Sequence, residues 1–147
     1  MSDLYESDSA RWAEEQADLL RRMAAGERVN DQVDWLNIVE EIADVARRDR
    51  DRIYGQLVTL CLHLLKWRFQ SDHRSNSWRG SVVGARDRIA KLIKDSPSLA
   101  AYPASVLGEA YPPGRRKAEA ETGLSDMPEA CPWSIEQMLD HAFWPEN

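Results

Sequence analysis

The side chains able to do chemistry concentrate in one stretch, HLLKWRFQSDHRSNSWR, which sets His63, Lys66, Arg68, Asp72, His73, Arg74 and Arg79 among Trp67, Phe69 and Trp78. Helical bundles build metal centres from inward Glu and His, often as a Glu-x-x-His pair. Here Leu60, Gln70 and Met138 stand three positions before His63, His73 and His141, so that motif is absent. Cys61 and His63 would lie about 200° apart on a helix, too far round to share an ion. A nucleophile would have to be Cys61 or Cys131, yet no elbow motif, Gly-rich loop or phosphate-binding signature accompanies either. Glu40 and Glu41 would form an acid pair with a partner only if folding brought them near His63 or Asp72; adjacent helical carboxylates otherwise make a solvated face. No metal, cofactor or catalytic residue is therefore assigned.

A second chemistry is phosphate recognition. Residues 47–94 carry 12 bases against 4 acids and net +8, whereas 1–46 net -8 and 95–147 net -6. Lys66, Arg68, Arg74, Arg79 and Arg86 are the candidate basic surface, interleaved with aromatics as nucleic-acid-binding segments are. The acidic flanks offer the competing use of those charges, pairing within the fold or repelling a phosphate backbone.

The elements that must position these groups are helices. From Asp8, the residues Trp12, Gln16, Leu19, Leu20 and Met23 recur at helical spacing, with Asp8 or Ser9 to cap the start and Gly26 to close the end. After Asn30-Asp31, the residues Trp35, Ile38, Val39, Ile42 and Val45 form one stripe. Ile53, Leu57, Leu60, Cys61, Leu64 and Trp67 continue it in phase, Ile53 standing three turns beyond Ile42. One long helix over 31–69 and a break near Arg47 to Asp51 are both compatible with this pattern.

SDHRSNS reads as a turn whose Ser or Asn caps a helix carrying Trp78, Val82, Ala85, Ile89 and Leu92. Ser96 and Pro97 are the expected cap and first position of the next helix, which Pro112-Pro113-Gly114 must interrupt before RRKAEAET resumes and Gly123 stops it. Ser134 and Gln137 have capping-box spacing, and Trp133 and Met138 have that of a hydrophobic staple. No useful period-2 strand is present. The expected fold is all-α, a compact bundle of about five to six helices with no sheet, in one domain over 1–147, and its core includes Trp12, Leu19, Trp35, Ile38, Ile42, Ile53, Leu57, Leu60, Leu64, Trp78, Ile89 and Leu92.

Within that fold HLLKWRF is the amphipathic end of one helix and SDHRSNSWR the capped turn into the next. His63, Trp67 and Trp78 make a structural junction, with Phe69 buried there too. Arg68, Arg74 and Arg79 stay near solvent, where guanidinium groups stack on rings or cap the last carbonyls.

The ordered set LVTLCLHLLKWRFQ, RSNSWRGSV, KDSPSLAAY, EAYPPGRRKAEAETGL and MPEACPWSIEQMLD resembles the bacterial family called domain of unknown function 29 (DUF29). The likeness covers nearly the whole chain, and HLLKW, SPSL and ETGL followed by CPW make it specific. It implies an all-helical bacterial protein and carries no catalytic residue onto this sequence.

The 30% of charged and 43% of hydrophobic residues are those of an ordinary globular domain. No apolar run approaches a membrane span, and MSDLYESDSARW is acidic where a secretory leader would be basic, so the expected compartment is the cytoplasm. Six tryptophans favour an interaction or accessory protein with an as yet unknown protein partner. Nucleic-acid binding by 47–94 is the alternative, and an enzyme with an unrecognised site a third reading.

Overall fold

The computed structural model describes residues 3–146. It is all-α: α1 (Leu4–Ser7), α2 (Ser9–Ala24), α3 (Trp35–Phe69), α4 (Asn76–Asp95), α5 (Tyr102–Thr122) and α6 (Ile135–Leu139), with no strand among the described residues. The chain forms two compact units, residues 1–47 and 48–147.

In the first unit, the Asp8 side chain accepts the Arg11 amide at the start of α2. Gly26, at a φ of 99°, takes the left-handed conformation just past the helix end. Trp12, Val33 and Ile38 form a small core, with Leu4, Tyr5, Leu19, Leu20 and Met23 packed on it. Tyr5 meets Trp12 edge-on with ring centroids 4.7 Å apart.

Of the two alternatives for 31–69, the helix is continuous from Trp35 to Phe69, and the preceding residues make a short 3-10 turn over Asn30–Gln32. RRDRDR does not break it. The run lacks Pro and Gly, and it is laced by Arg47 with Asp44 and Glu40 and by Arg52 with Asp49, pairs reaching along the helix surface.

The second unit is built around the far part of α3. Ile53, Leu57, Leu60, Cys61, Leu64 and Leu65 pack in one core with Val82, Ala85 and Ile89 of α4, Val106, Ala110 and Tyr111 of α5, and Met138 of α6. Leu92 is half-buried against this core, and Trp78 is half-buried. Ser75 caps α4 by accepting the Trp78 amide. Ser134 and Gln137 complete a capping box on α6, and both Trp133 and Met138 are buried in the core.

Two expectations for α5 are overturned. Ser96 does not cap it: its hydroxyl bonds Asp49 Oδ2 at 3.3 Å, Pro97–Leu99 form a separate 3-10 turn, and α5 starts at Tyr102 with Pro103 in its first turn. Pro112-Pro113-Gly114 does not interrupt it either. The two prolines forfeit N–H bonds to the carbonyls of Gly108 and Glu109, and the Tyr54 hydroxyl approaches the latter at 3.5 Å. Tertiary packing compensates for the loss. Tyr111 is buried and donates to the Pro128 carbonyl at 2.6 Å. Gly114 lets α5 press onto α3, because a Cβ there would stand 2.6 Å from Cys61 Cβ and 2.9 Å from the Val58 carbonyl oxygen. Gly123, at a φ of 76°, ends α5.

Candidate functional site

The sequence-singled junction is a layered stack of rings and cations. The Arg74 Nε donates to the Trp67 carbonyl at 2.8 Å, capping α3, while its guanidinium lies 4.9 Å from the Trp67 ring centroid. Arg79 lies 5.1 Å from the Trp67 ring and 5.1 Å from that of Trp144. The two tryptophans are themselves 4.6 Å apart. Arg68 is half-buried over Phe69 at 5.1 Å.

Two of the five residues expected on a basic surface are buried. Lys66, 7% exposed, pairs with Glu121 at 3.1 Å and sits 4.5 Å above the Trp78 ring. Arg86, 1% exposed, donates to two backbone carbonyls, Met138 at 2.7 Å and Phe143 at 2.8 Å. The basic middle thus spends much of its charge on rings, carbonyls and nearby carboxylates. Trp144, missed by the sequence reading, joins this stack from the far end of the chain, and no local spacing signals that approach.

His63 is half-buried; burial and the neighbouring Lys66 charge lower its pKa, against an opposing pull from Glu121, so the ring is neutral. Burial pushes both the Cys61 and the Cys131 thiol up, which leaves neither as a thiolate. Among the described residues no group of three His, Cys, Asp or Glu side chains could hold a metal ion. No described helix is long and apolar enough to cross a membrane.

The exposed apolar surface lies elsewhere. Leu36 is 77% exposed, Ile42 68%, Val39 60%, Val45 58% and Trp35 45%. Trp35 and Ile42, expected in the core, are therefore corrected to the surface. The physical reason is supply: the few apolar residues of α1 and α2 cover the Ile38 side of α3, and none remain for the adjoining face. At 100° per residue Trp35, Val39 and Ile42 share an arc of about 60° with Ile53, Leu57, Leu60 and Leu64, so the bare stripe and the buried one are one stripe.

Carboxylates crowd the same stretch of chain, and Arg47 just beyond it pairs with two of them, Glu40 and Asp44. Residues 31–46 hold Asp31, Asp34, Glu40, Glu41 and Asp44 and no Lys or Arg. Glu41 accepts the Tyr5 hydroxyl at 2.7 Å, and that bond, joined by burial and the charges of Glu41, Asp44 and Glu6, raises the Tyr5 pKa to about 12. Asp34 Oδ2 accepts from Trp12 Nε1 at 2.9 Å and Asn37 Nδ2 at 2.8 Å, and its amide donates to Gln16 Oε1 at 2.8 Å. The Asn37 bond leads in lowering the Asp34 pKa, burial opposes it, and the Trp12 bond adds to it, so the carboxylate is charged. Asp34 lines a cleft of about 820 Å³ with Glu14, Glu15, Asp18 and Asp31.

Together these features define an all-helical protein with an uncovered apolar helix face set in acidic surroundings. Residues 4–144 match the family described as Domain of unknown function DUF29, and the chain belongs to it. No curated protein and no solved structure matches the chain.

Proposed function

We propose that the protein is an interaction module whose α3 face at Trp35, Leu36, Val39, Ile42 and Val45 receives a basic amphipathic helix of a partner protein. The observation that carries this reading is the exposure of Trp35, Val39 and Ile42 in one stripe, with Leu36 and Val45 exposed on either side of it. Contiguous exposed apolar patches mark interaction sites, and a helix laid into such a face reads out as anchors at i, i+3, i+4 and i+7.

Charge selects the occupant. Two copies of this chain meeting at this face would bring together segments that each net -8 over residues 1–46, whereas a Lys- or Arg-flanked helix finds complementary carboxylates. Full burial of a Val, Leu or Ile is worth about 1.5–3 kcal/mol. Val39 and Ile42 set a gross gain of about 3–6 kcal/mol, to which Trp35 adds, against an association cost of about 4–15 kcal/mol. The complex is therefore weak to moderate, and charge attraction contributes visibly to it.

Titration calorimetry of the full chain with a synthetic Lys/Leu amphipathic helical peptide tests this, with a Glu/Leu peptide of the same apolar pattern as control. Binding of the basic peptide, weakened by salt and lost in Val39→Asp/Ile42→Asp, is the expected result. Equal binding of both peptides, or a double variant that binds like the parent, overturns the reading. A concentration-dependent dimer lost in the double variant assigns the face to a second copy. Tight low-salt binding to a generic DNA duplex, lost when Arg68, Arg74, Arg79 and Arg86 are changed to Ala, assigns function to the basic middle.

A further inference from the structure

Apart from the proposed docking face, the second unit contains a buried charge that no carboxylate among the described residues balances. Arg86 stands on the buried side of α4 beside Val82, Ala85 and Ile89. The guanidinium edge bearing Nε and Nη2 is engaged by the Met138 and Phe143 carbonyls, and Trp144 lies 5.4 Å from its centre. Its Nη1 is buried and has no hydrogen-bond partner. Among the described residues no carboxylate pairs with it. Asp140 acts only from further off, its Oδ1 accepting the Ala142 amide at 2.9 Å. Burial lowers the Arg86 pKa and Asp140 opposes that shift. Buried cations ordinarily have a hydrogen-bonded anion, because carbonyl dipoles alone replace only part of the lost hydration.

A recess of about 390 Å³ adjoins this side chain, lined by Arg86, Ile89, Ala90, Ile93 and Lys94 of α4 and by Leu139 of α6. The α4 positions follow one another at i, i+3, i+4, i+7 and i+8 from Arg86, so they share a face. The recess therefore pairs an apolar wall with two cations, and its size falls at the lower end of small-molecule sites.

We propose that this recess binds a small monocarboxylate with an apolar tail. The carboxylate accepts from Arg86 Nη1 with the Lys94 ammonium as a second positive charge, and the tail lies along Ile89, Ala90, Ile93 and Leu139. An uncharged apolar guest would leave Nη1 bare, and a dianion would have to shed more hydration than one guanidinium edge and one lysine replace. Because Nη1 is shut off from solvent, entry requires a side-chain rotation at the recess wall.

The test is calorimetric titration of the full-length protein with octanoate, and with octanol as the tail without the charge. Octanoate is expected to bind saturably, with a dissociation constant of about 1 mM or lower, and octanol about tenfold more weakly or less. Ala90→Trp fills the recess from an exposed position; it should abolish octanoate binding while keeping the parent unfolding midpoint. Arg86→Met, where it folds, should lose the preference for octanoate over octanol. Octanol binding as tightly as octanoate, undiminished octanoate binding in Ala90→Trp, or no saturable heat up to about 10 mM octanoate overturns the proposal.

Discussion

The two halves of α3 carry the same stripe and meet opposite fates. From Ile53 to Leu64 it is wholly buried beneath residues of α4, α5 and α6, while from Trp35 to Val45 only Ile38 is covered. Helical phase decides which residues share a face; whether that face is covered depends on how much apolar surface the rest of the fold supplies. The second unit has three further helices with buried residues to give, and the first has two short of the need. The bare half is where a partner would gain most apolar burial, and the proposed docking site lies there and not at the more conspicuous cluster of arginines and tryptophans.

The contrast is broken most sharply by equivalent truncations in the two halves. Leu60→Ala should cost on the order of 2–5 kcal/mol, since a fully buried leucine leaves a cavity, and Ile42→Ala should stay within about 0.5 kcal/mol. Chemical denaturation of both variants reads this directly, and equal losses would mean that the near half of the stripe is covered after all.

Close packing in the far half gives the next largest effect. Gly114→Ala should destabilise by about 1–3 kcal/mol, because the new methyl would stand 2.6 Å from Cys61 Cβ, with the α3 backbone at Val58 hardly further. A neutral midpoint would show α5 free to move off α3. Ser134→Ala should then cost roughly 0.5–2 kcal/mol through loss of the bond from the Gln137 amide to the hydroxyl.

The first unit responds to acid instead. Asp34 has a depressed pKa in the folded chain, led by its bond from Asn37, so its contribution is complete above the ordinary carboxylate value of 3.8 and is lost as pH falls below that value through the folded one. Acid titration followed through Trp12, which donates to Asp34, should show this loss. Asp34→Asn should flatten it, and an unchanged acid limb would remove Asp34 from the account.

Much of the architecture was legible because it is local. Asp8, Ser75, Ser134 and Gly123 announce helix ends through chemistry completed within a few residues, and the in-phase apolar positions announce α3. What escaped depends on long-range packing. Pro112 and Pro113 read as a break because local rules count the missing N–H groups and not the close approach at Gly114. Arg86 and Lys66 read as surface because their charge is visible in the sequence and the carbonyls, the Glu121 carboxylate and the rings that receive them are not. Trp35 and Ile42 read as core because periodicity cannot count the residues available to cover a face.

The most direct test of the central claim is a nitrogen-15 NMR titration of the full chain with the basic amphipathic peptide. Amide shift changes are expected to concentrate at Leu36, Val39, Ile42 and Val45, together with the Trp35 indole, with little change from Ile53 to Leu64. Shifts centred on Arg68, Arg74 and Arg79 with the 35–45 segment silent, or no shifts at saturating peptide, would contradict it.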